Sequence, residues 1–219
     1  MKIGILGGTG PAGSGLAARL SSCGQRVYLG SRDRAKAEAT VRGLAERWGP
    51  RMSHIEAVTN AEAAETGEIV VLGTTAKATV ATAADHATRL AGKPTVSMAN
   101  AMRRVGSNFE PVRIEEGSIA QAVQKAAPDA LVAAALHHIP AAALQSLDKP
   151  TLVGDVAIVS DDLEAMRATQ ALVSAMPELR ALDGGPLENA IALEAFCAVL
   201  LTVNVRYGGK ATMRLMPAS

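Results

Sequence analysis

The sequence predicts an α/β fold in which helices cover both faces of a mostly parallel sheet. Short apolar runs that suit buried strands alternate with longer segments of helical periodicity over most of the 219 residues. A glycine-rich turn at residues 7–13 separates the first apolar run from the first helical segment, as at the start of a Rossmann-like, doubly wound sheet. The last segments predict a small C-terminal α/β lobe that ends in a long helix.

Eight apolar runs are predicted strands: Ile3–Leu6, Val27–Gly30, Ser53–Val58, Glu68–Gly73, Pro94–Met98, Ala130–Leu136, Thr151–Ser160 and Leu179–Asp183. A helix follows the first turn, and six further segments predict helices. They are Asp33–Trp48, Asn60–Thr66, Thr79–Leu90, Ser118–Ala126, a segment from Asp161 to about Met176, and one from about Leu187 to near Gly208. Asn60 and the pair Asp161-Asp162 suit helix N-caps. Residues 99–116 lack clean periodicity, which predicts a long connection.

Gly8, Gly10 and Gly13 form the pattern G-x-G-x-x-G directly after the first strand. The first glycine permits a tight turn, the second lets the backbone approach a pyrophosphate, and the third lets the helix pack closely on the strand. The pyrophosphate then sits at the positive end of the helix, on its free N–H groups. An apolar strand before the motif and an Ala/Leu-rich helix after it favour a dinucleotide site over a purely structural turn.

The end of the second strand indicates which dinucleotide binds. NAD sites usually place Asp or Glu there for the ribose 2′-hydroxyl, whereas this chain has Ser31-Arg32, with Lys36 one helical turn further on. An arginine fork, a lysine charge and a serine hydroxyl fit a 2′-phosphate, which favours NADP. Asp33 lies beyond the expected position and suits the first turn of a helix. The alternative is that Arg32 and Lys36 are ordinary solvated charges.

Composition narrows the remaining function classes. A net charge of +1 offers no electrostatic basis for binding nucleic acid or an anionic membrane. No apolar run of membrane-span length, no leader ahead of the first strand and no metal-ligand spacing is recognisable, which predicts a soluble, cytoplasmic protein without a metal. Cys23 and Cys197 suit buried thiols in a reducing compartment. Residues 190–205 are nearly all apolar and predict a helix that is buried or forms an interface.

Four segments together resemble one family. They are Gly-Gly-Thr-Gly at 7–10, Gly-Ser-Arg at 30–32 with Lys36, Ala135-Leu-His-His-Ile-Pro-Ala141, and Asp183-Gly-Gly-Pro-Leu-Glu-Asn189. Over almost its whole length the chain is similar to the NADPH-dependent reductases of coenzyme F420, also called F420:NADP oxidoreductases. On this basis we predict an NADP-binding Rossmann domain over residues 1–136, and a small lobe over residues 137–219 for acceptor binding and dimerisation.

The resemblance implies hydride transfer between the nicotinamide of NADP(H) and the deazaflavin of coenzyme F420, in a cleft at the carboxyl ends of the strands. It implies homodimers whose C-terminal helix helps to form the interface. It also assigns residues to each part of the ligands. These are Thr9, Gly10, Pro11 and Ala12 for the pyrophosphate, Ser31, Arg32 and Lys36 for the 2′-phosphate, Thr74 for the adenosine half or the bridging phosphates, and His137 to Ala141 for the two rings.

His137 and His138 are the candidate catalytic residues. Adjacent side chains on a strand face opposite ways, so we expect one histidine to reach the cleft and donate to a carbonyl or nitrogen of the acceptor ring. A structural hydrogen-bonding role is the alternative. Hydride transfer between two cofactors needs orientation and exclusion of water, so it requires no catalytic triad or metal cluster. Pro140 either shapes the cleft floor or simply ends a strand.

Two loops depart from the family's usual pattern. Residues 73–77 stand where the family has an apolar loop with proline and aromatic residues, and residues 97–102 where it has a Pro-rich apolar stretch of the deazaflavin pocket. Two alternatives therefore stay open: an NADPH-dependent reductase of another acceptor, such as a flavin, an imine or a biosynthetic intermediate, and an NADPH-binding regulatory module without turnover. Arg103 and Arg104 suit either a ligand phosphate or acidic tail, or a solvated loop.

Overall fold

The computed structural model describes residues 1–148, 152–209 and 211–216. Its strands are β1 (Lys2–Leu6), β2 (Arg26–Ser31), β3 (Ile55–Thr59), β4 (Ile69–Leu72), β5 (Pro94–Ser97), β6 (Met102–Val105), β7 (Asn108–Pro111), β8 (Leu131–Ala134), β9 (Gly154–Ser160) and β10 (Leu179–Asp183). Its helices are α1 (Pro11–Ser22), α2 (Arg34–Trp48), α3 (Asn60–Thr66), α4 (Ala76–Asp85), α5 (Ala87–Leu90), α6 (Ile119–Ala126), α7 (Ala141–Leu144), α8 (Leu163–Ser174) and α9 (Ala190–Tyr207). Short 3₁₀ turns at Gly49–Met52 and Leu187–Asn189 follow α2 and precede α9.

Eight strands form one sheet in the order β10-β9-β8-β5-β4-β1-β2-β3. All neighbouring strands are parallel except β8 and β9, which are antiparallel. Strand β1 lies between β2 and β4, with Ile3 opposite both Val27 and Ile69. The chain therefore winds outward in two directions from β1, and a crevice opens at the carboxyl ends of the strands where the direction changes. The predicted doubly wound, mostly parallel sheet is confirmed.

The core consists of two aliphatic layers, one on each face of the sheet. Side chains along β1 point alternately to the two faces of the sheet. Ile3 and Ile5 therefore belong to one layer and Leu6 to the other. Arg19 is the only charged side chain among the largest fully buried ones of the described residues, and it donates to the carbonyls of Ala143 and Ser146. These two hydrogen bonds attach the first helix to the segment around α7.

Several predicted boundaries need correction. The predicted helix at residues 79–90 begins earlier, at Ala76, and is divided at His86 into α4 and α5. The N-cap of α3 is Thr59 and not Asn60, because the Thr59 hydroxyl accepts from the Glu62 N–H while the Glu62 carboxylate accepts from the Thr59 N–H. The predicted strand at residues 151–160 begins at Gly154, and Thr151 lies outside the described residues.

The aperiodic segment 99–116 contains an unpredicted antiparallel hairpin, β6 and β7. The hairpin lies outside the main sheet and is held by α9: the Phe109 N–H donates to the Thr202 hydroxyl at 2.9 Å, and the Arg206 guanidinium donates to the Asn108 side chain at 2.8 Å.

The predicted N-cap of α8 is confirmed, since the Asp162 carboxylate accepts from the Ala165 N–H at 2.8 Å.

Strands β9 and β10 extend the same sheet as the first half of the chain. The predicted division into two domains between residues 136 and 137 falls in the turn that follows β8, and it stays a prediction.

Of the two cysteines, Cys197 is buried as expected, whereas Cys23 is only half-buried.

The terminal helical segment Leu187–Tyr207 is largely apolar, with a mean hydropathy of 1.5 in its most apolar 18-residue window, of which 22% is buried. By length and composition it is the one helix of the described chain that could cross a membrane, so the expectation that no apolar run reaches that length is wrong for this segment. Its exposed apolar side chains include Phe196, Val199 and Val203, which lie on one face at heptad spacing.

Candidate dinucleotide cleft and adjoining cavity

The glycine turn between β1 and α1 has a shape that larger residues would disrupt. Gly7 has φ +71° and lies so close to Thr74 that a Cβ there would collide with the threonine methyl group. A Cβ on Gly13 would lie 2.8 Å from the Gly8 Cα, so the third glycine allows the helix to touch the turn. The N-terminus of α1 opens with Gly10 as N-cap and Pro11 in the first turn. Its first N–H groups have no partner within the helix and can face an anion.

Asn60 holds the turn from the other side. Its side-chain oxygen accepts from the Gly7 N–H at 3.0 Å, and the residue is 5% exposed. The Gly8 N–H donates to the Gly30 carbonyl at 2.8 Å, which ties the turn to the end of β2. A side chain on Gly30 would press on the Asn60 oxygen. Asn60 is thus a site residue that sequence reasoning placed in the wrong role.

A cleft of about 480 Å³ opens over this turn, at the carboxyl ends of β1, β2 and β4. It is lined by most residues predicted for the dinucleotide: Thr9, Gly10, Pro11, Ala12, Ser31, Arg32, Lys36, Thr74 and Ala141. Gly8 and Gly13 lie beneath it in the packed turn. The lining also includes residues that sequence reasoning did not assign to the site, namely Gly7, Asp33, Asn60, Gly73, Thr75, Ala78 and Thr82.

The polar end of the cleft carries two cations. Arg32 and Lys36 are both exposed and both line the cleft. The Asp33 carboxylate caps α2 by accepting from the Ala35 N–H at 3.0 Å, as predicted for an early helix carboxylate. The neighbouring Arg34 forms an ion pair with Glu62 and does not line the cleft. The charge left facing the cleft at this end is positive.

Thr74 and Thr75 form the opposite wall, where β4 ends. The Thr74 and Thr79 hydroxyls lie 2.9 Å apart, and the Thr79 hydroxyl also donates to the Thr75 carbonyl. This bonding fixes the loop that precedes α4 and leaves Thr75 as a helix N-cap without a side-chain cap bond. The unusual loop at residues 73–77 therefore supplies a polar wall to the cleft.

A second, smaller cavity of about 160 Å³ adjoins the cleft, and Ala141 lines both. One wall is the segment after β8, and the other is α9. The lining residues are His137, His138, Ile139, Pro140, Ala141, Cys197, Leu200, Leu201 and Asn204. The smaller cavity thus lies beside the cleft, between the histidine turn and the terminal helix, with Ala141 at the boundary of the two spaces.

The two histidines lie in a turn and not on the strand, because β8 already ends at Ala134. Leu136 has φ +63°, a left-handed conformation that is strained for a leucine, and its carbonyl accepts from the Ile139 N–H. The turn buries the His137 side chain and leaves the His138 side chain half-buried. The strained residue thus marks the point where the chain turns into the cavity wall.

Burial lowers the pKa of His137 to about 4, with the neighbouring His138 adding to the shift and the carbonyls of Ala99 and Met98 opposing it. Burial also lowers the pKa of His138, against the influence of Asp155. Both imidazoles are therefore neutral at pH 7. A neutral imidazole offers one N–H donor and one acceptor nitrogen to a bound ring.

Arg103 and Arg104 lie on the exposed hairpin and line neither space. The Arg103 guanidinium pairs with Glu110 across the hairpin at 3.0 Å, and Arg104 donates to the Gly106 carbonyl at 3.0 Å. The hairpin geometry accounts for both side chains without a ligand. Ligand binding by these two residues stays a prediction.

A doubly wound sheet with a glycine turn at its switch point and cations at the end of β2 defines a Rossmann-class protein that binds a nicotinamide dinucleotide. The family model described as NADP oxidoreductase, coenzyme F420-dependent, matches residues 2–101. The F420-dependent NADP reductase of Methanocaldococcus jannaschii is 32% identical over 217 residues, covering 97% of this chain and 96% of that protein. The chain belongs to the F420-dependent NADP reductase family.

A second relative agrees with this assignment, and a solved structure shares the fold. The F420-dependent NADP reductase of Methanothermobacter marburgensis is 34% identical over 212 residues, which cover 94% of this chain and 93% of that protein. A crystal structure of an Arthrobacter sp. FB24 protein, provisionally assigned as an F420-dependent NADP-reductase, superposes with a TM-score of 0.82 at 24% identity and covers both chains completely. That last likeness concerns the fold.

Proposed function

We propose that this protein transfers a hydride between NADP(H) and the deazaflavin coenzyme F420. The observation that carries the proposal is the full-length similarity to reductases of that name, combined with a cleft that adjoins a cavity lined by the histidine turn. In the direction of F420 reduction, NADPH would supply the hydride and the deazaflavin would accept it together with a proton. The protein's part is to place the two rings in contact and to exclude water from them.

The cleft suits NADP through its polar end. Arg32 and Lys36 present two cations where a ribose 2′-phosphate would lie, and Ser31 adds a hydroxyl between them and the sheet. The Asp33 carboxylate also lines the cleft, with one oxygen bonded to the Ala35 N–H at the helix start, and the two cations outnumber it. The pyrophosphate would lie over Thr9 to Ala12, at the N-terminus of α1. Thr74 would contact the adenosine half or the bridging phosphates.

The adjoining cavity suits the acceptor ring. Ile139, Leu200 and Leu201 give it apolar walls, while the histidines supply polar atoms. Because His137 and His138 are neutral at pH 7, they would act as hydrogen-bond donors to a ring carbonyl or nitrogen and not as cations. Such a donor would stabilise the negative charge that develops on the ring as the hydride arrives. The lobe at residues 137–219 would thus bind the acceptor.

We further propose that the protein is a cytoplasmic homodimer assembled through α9. The helix exposes Phe196, Val199 and Val203 in one stripe, which a second copy of the same stripe would cover. Replacing Val199 by Asp should convert the dimer into a monomer in light scattering after size exclusion. Recovery of the wild-type protein in the membrane fraction, or a monomer without the substitution, would contradict this proposal.

A mixing assay tests the reaction itself. Purified protein, NADPH and oxidised F420 should lose the visible absorbance of the deazaflavin rapidly, and NADH in place of NADPH should give little loss. Detectable NADPH binding without bleaching would instead favour another acceptor, such as a flavin or an imine. If NADPH binds tightly and no acceptor in such a screen is reduced, the protein is a regulatory module.

The 2′-phosphate assignment has a matched control. Arg32→Ala should raise the KM for NADPH about 10- to 100-fold, since a hydrogen bond to a charged group is worth about 1.5–3 kcal/mol. Arg34→Ala removes an equal charge two residues away, but this arginine is paired with Glu62 outside the cleft. It should leave the KM within about twofold. Equal effects of the two substitutions would show that only net charge matters.

A further inference from the structure

Glu194 is a buried carboxylate in the second turn of the apolar helix α9, with 2% of its surface exposed. One carboxylate oxygen accepts from the N–H groups of Ile119 at 3.0 Å and Ala101 at 3.3 Å, and the other from Ala120 at 3.1 Å. Burial raises the pKa of this carboxyl, and the three backbone N–H groups oppose that rise. A buried acidic group destabilises the fold unless it is fully hydrogen-bonded, so the presence of Glu194 at this position needs a structural or functional reason.

Two of the three donors belong to the first turn of α6. The N–H groups of Ile119 and Ala120 have no partner within that helix, so Glu194 caps it from a distant part of the chain. However, α6 already has a local cap, because the Ser118 hydroxyl accepts from the Gln121 N–H at 3.1 Å. Capping of α6 alone therefore does not account for the third bond, to Ala101.

The Ala101 N–H, which donates to Glu194, belongs to a loop that also contacts the histidine turn. Ala101 ends the loop that follows β5, and in the same loop the Asn100 side chain donates to the His137 carbonyl at 3.1 Å. The carbonyls of Met98 and Ala99 also lie against the His137 ring. The loop at residues 98–101 is thus held between Glu194 on one side and His137 on the other.

Glu194 also lies one turn before the part of α9 that lines the cavity. Cys197 is three residues further on, and Leu200 and Asn204 follow on the same wall. The carboxylate is therefore the polar attachment between α9 and the loop that supports the opposite wall. Other side-chain bonds between α9 and earlier segments, within the part of the chain that the structure describes, go to the hairpin, from Thr202 and Arg206.

We infer that Glu194 is a positioning residue: by holding the loop at residues 98–101 against α9, it sets the spacing between the two walls of the acceptor cavity. The inference rests on the proposed function in that the cavity is taken to receive the acceptor. It concerns the acceptor alone, because Glu194 and its three donors lie outside the lining of the dinucleotide cleft.

Glu194→Gln tests the inference, with Ser118→Ala as its matched control. Glutamine keeps the shape but turns an N–H group toward backbone donors, so at least one of the three bonds is lost. We expect the KM for F420 to rise at least tenfold while the Kd for NADPH changes less than twofold. Ser118→Ala removes a cap from the same helix without touching Ala101 and should lower Tm while leaving both constants within twofold.

Amide hydrogen exchange gives a readout that does not depend on F420 turnover. Glu194→Gln should speed exchange at residues 99–101 and 137–139, and Ser118→Ala only near the start of α6. If the wild-type protein fails to reduce F420 but this difference in exchange is seen, the proposed function is wrong and the positioning role stands. Identical exchange patterns and identical KM values in the two variants would overturn the inference.

A third variant covers the case in which Glu194→Gln does not fold. Glu194→Asp keeps the charge and withdraws it by one methylene, so the bonds lengthen without a donor facing a donor. It should show the same selective rise in the KM for F420 and the same faster exchange at residues 99–101, to a smaller degree. A variant indistinguishable from wild type in both measurements would contradict the positioning role.

Discussion

Replacement of His137 by Asn should make the stability of the protein less sensitive to acid. The folded protein holds His137 neutral down to a pKa of about 4, whereas an unfolded histidine takes up its proton near pH 6.5. As pH falls from 6.5 to 4, the unfolded chain gains a proton that the folded chain does not, so folding is progressively disfavoured. The neutral His137 therefore contributes stability that is fully present above pH 6.5 and is lost as the pH falls toward 4.

The magnitude follows from the gap between the two pKa values. At 1.36 kcal/mol per pKa unit, a shift from 6.5 to about 4 corresponds to about 3 kcal/mol of unfolding free energy. Domains of ordinary stability have only about 5–15 kcal/mol in total, so this one imidazole should contribute a substantial part of the stability that is lost in acid. Asparagine does not titrate, and the variant should lack this contribution even if lost packing makes it less stable at neutral pH.

Urea denaturation followed by far-ultraviolet circular dichroism, at pH 7.5, 6.5, 5.5 and 4.5, measures the effect. Protein concentration must stay fixed, because the stability of the proposed dimer would depend on it. The free-energy difference between wild type and His137→Asn should shrink by about 2–3 kcal/mol toward pH 4.5. His54→Asn, at an exposed histidine, should track the wild type. Parallel curves for wild type and His137→Asn would refute the assignment of a buried, neutral imidazole.

Two further predictions concern stability. Gly13→Ala should destabilise the protein by several kcal/mol and abolish NADPH binding, because its Cβ would lie 2.8 Å from the Gly8 Cα; Gly43→Ala, in open space within α2, should instead stabilise it by about 0.5–1 kcal/mol in thermal unfolding. Asp155→Asn should lower Tm at pH 7, and the difference from wild type should vanish between pH 4 and pH 2. The reason is that hydrogen bonding to Arg180 lowers the pKa of Asp155 to about 2, so that stabilisation is present above pH 4 and lost as pH falls; a constant difference in Tm across that range would count against this ion pair.

The local signals in the sequence were sufficient where one segment carried its own information. The glycine turn, the strand periodicity and the Asp162 cap depend on residues close in sequence, and the structure confirms them. The family resemblance was likewise carried by contiguous strings such as residues 135–141. The cleft lining at Ser31, Arg32 and Lys36 followed because all parallel strands present their carboxyl ends at one edge.

The missed features depend on contacts between distant segments. Asparagine is a residue type that suits a helix N-cap, but Thr59 takes that role in α3. The Asn60 side-chain oxygen instead accepts from the N–H of Gly7, 53 residues away. Glu194 could have been suspected as the one acidic residue within the apolar stretch of α9, yet its partners lie on α6 and a loop. Neither contact leaves a periodic trace in the sequence.

The hairpin β6–β7 was missed for a different reason. Its strands have four residues each and are mostly exposed, so they lack the apolar alternation that marks a half-buried strand. They are stabilised by packing on α9, as the bond from Phe109 to Thr202 shows. One signal was present: Gly106-Ser107 is a two-residue connection typical of a hairpin, and Gly106 has the positive φ that such a turn needs.

The antiparallel placement of β9 determines where the last helix begins relative to the cleft. Strands β9 and β10 run opposite to β8, so Asp183 lies at the edge of the sheet far from the cleft. The chain has to return from that edge to contribute to the cavity, and Glu194 of α9 already contacts Ala101 in the loop after β5. The 18 residues of α9 cover about 27 Å, and the part that lines the cavity beside the histidine turn extends from Cys197 to Asn204. An insertion or deletion before Cys197 would rotate and shift that wall. The number of helical residues before Cys197 therefore determines which side chains of α9 face the cavity.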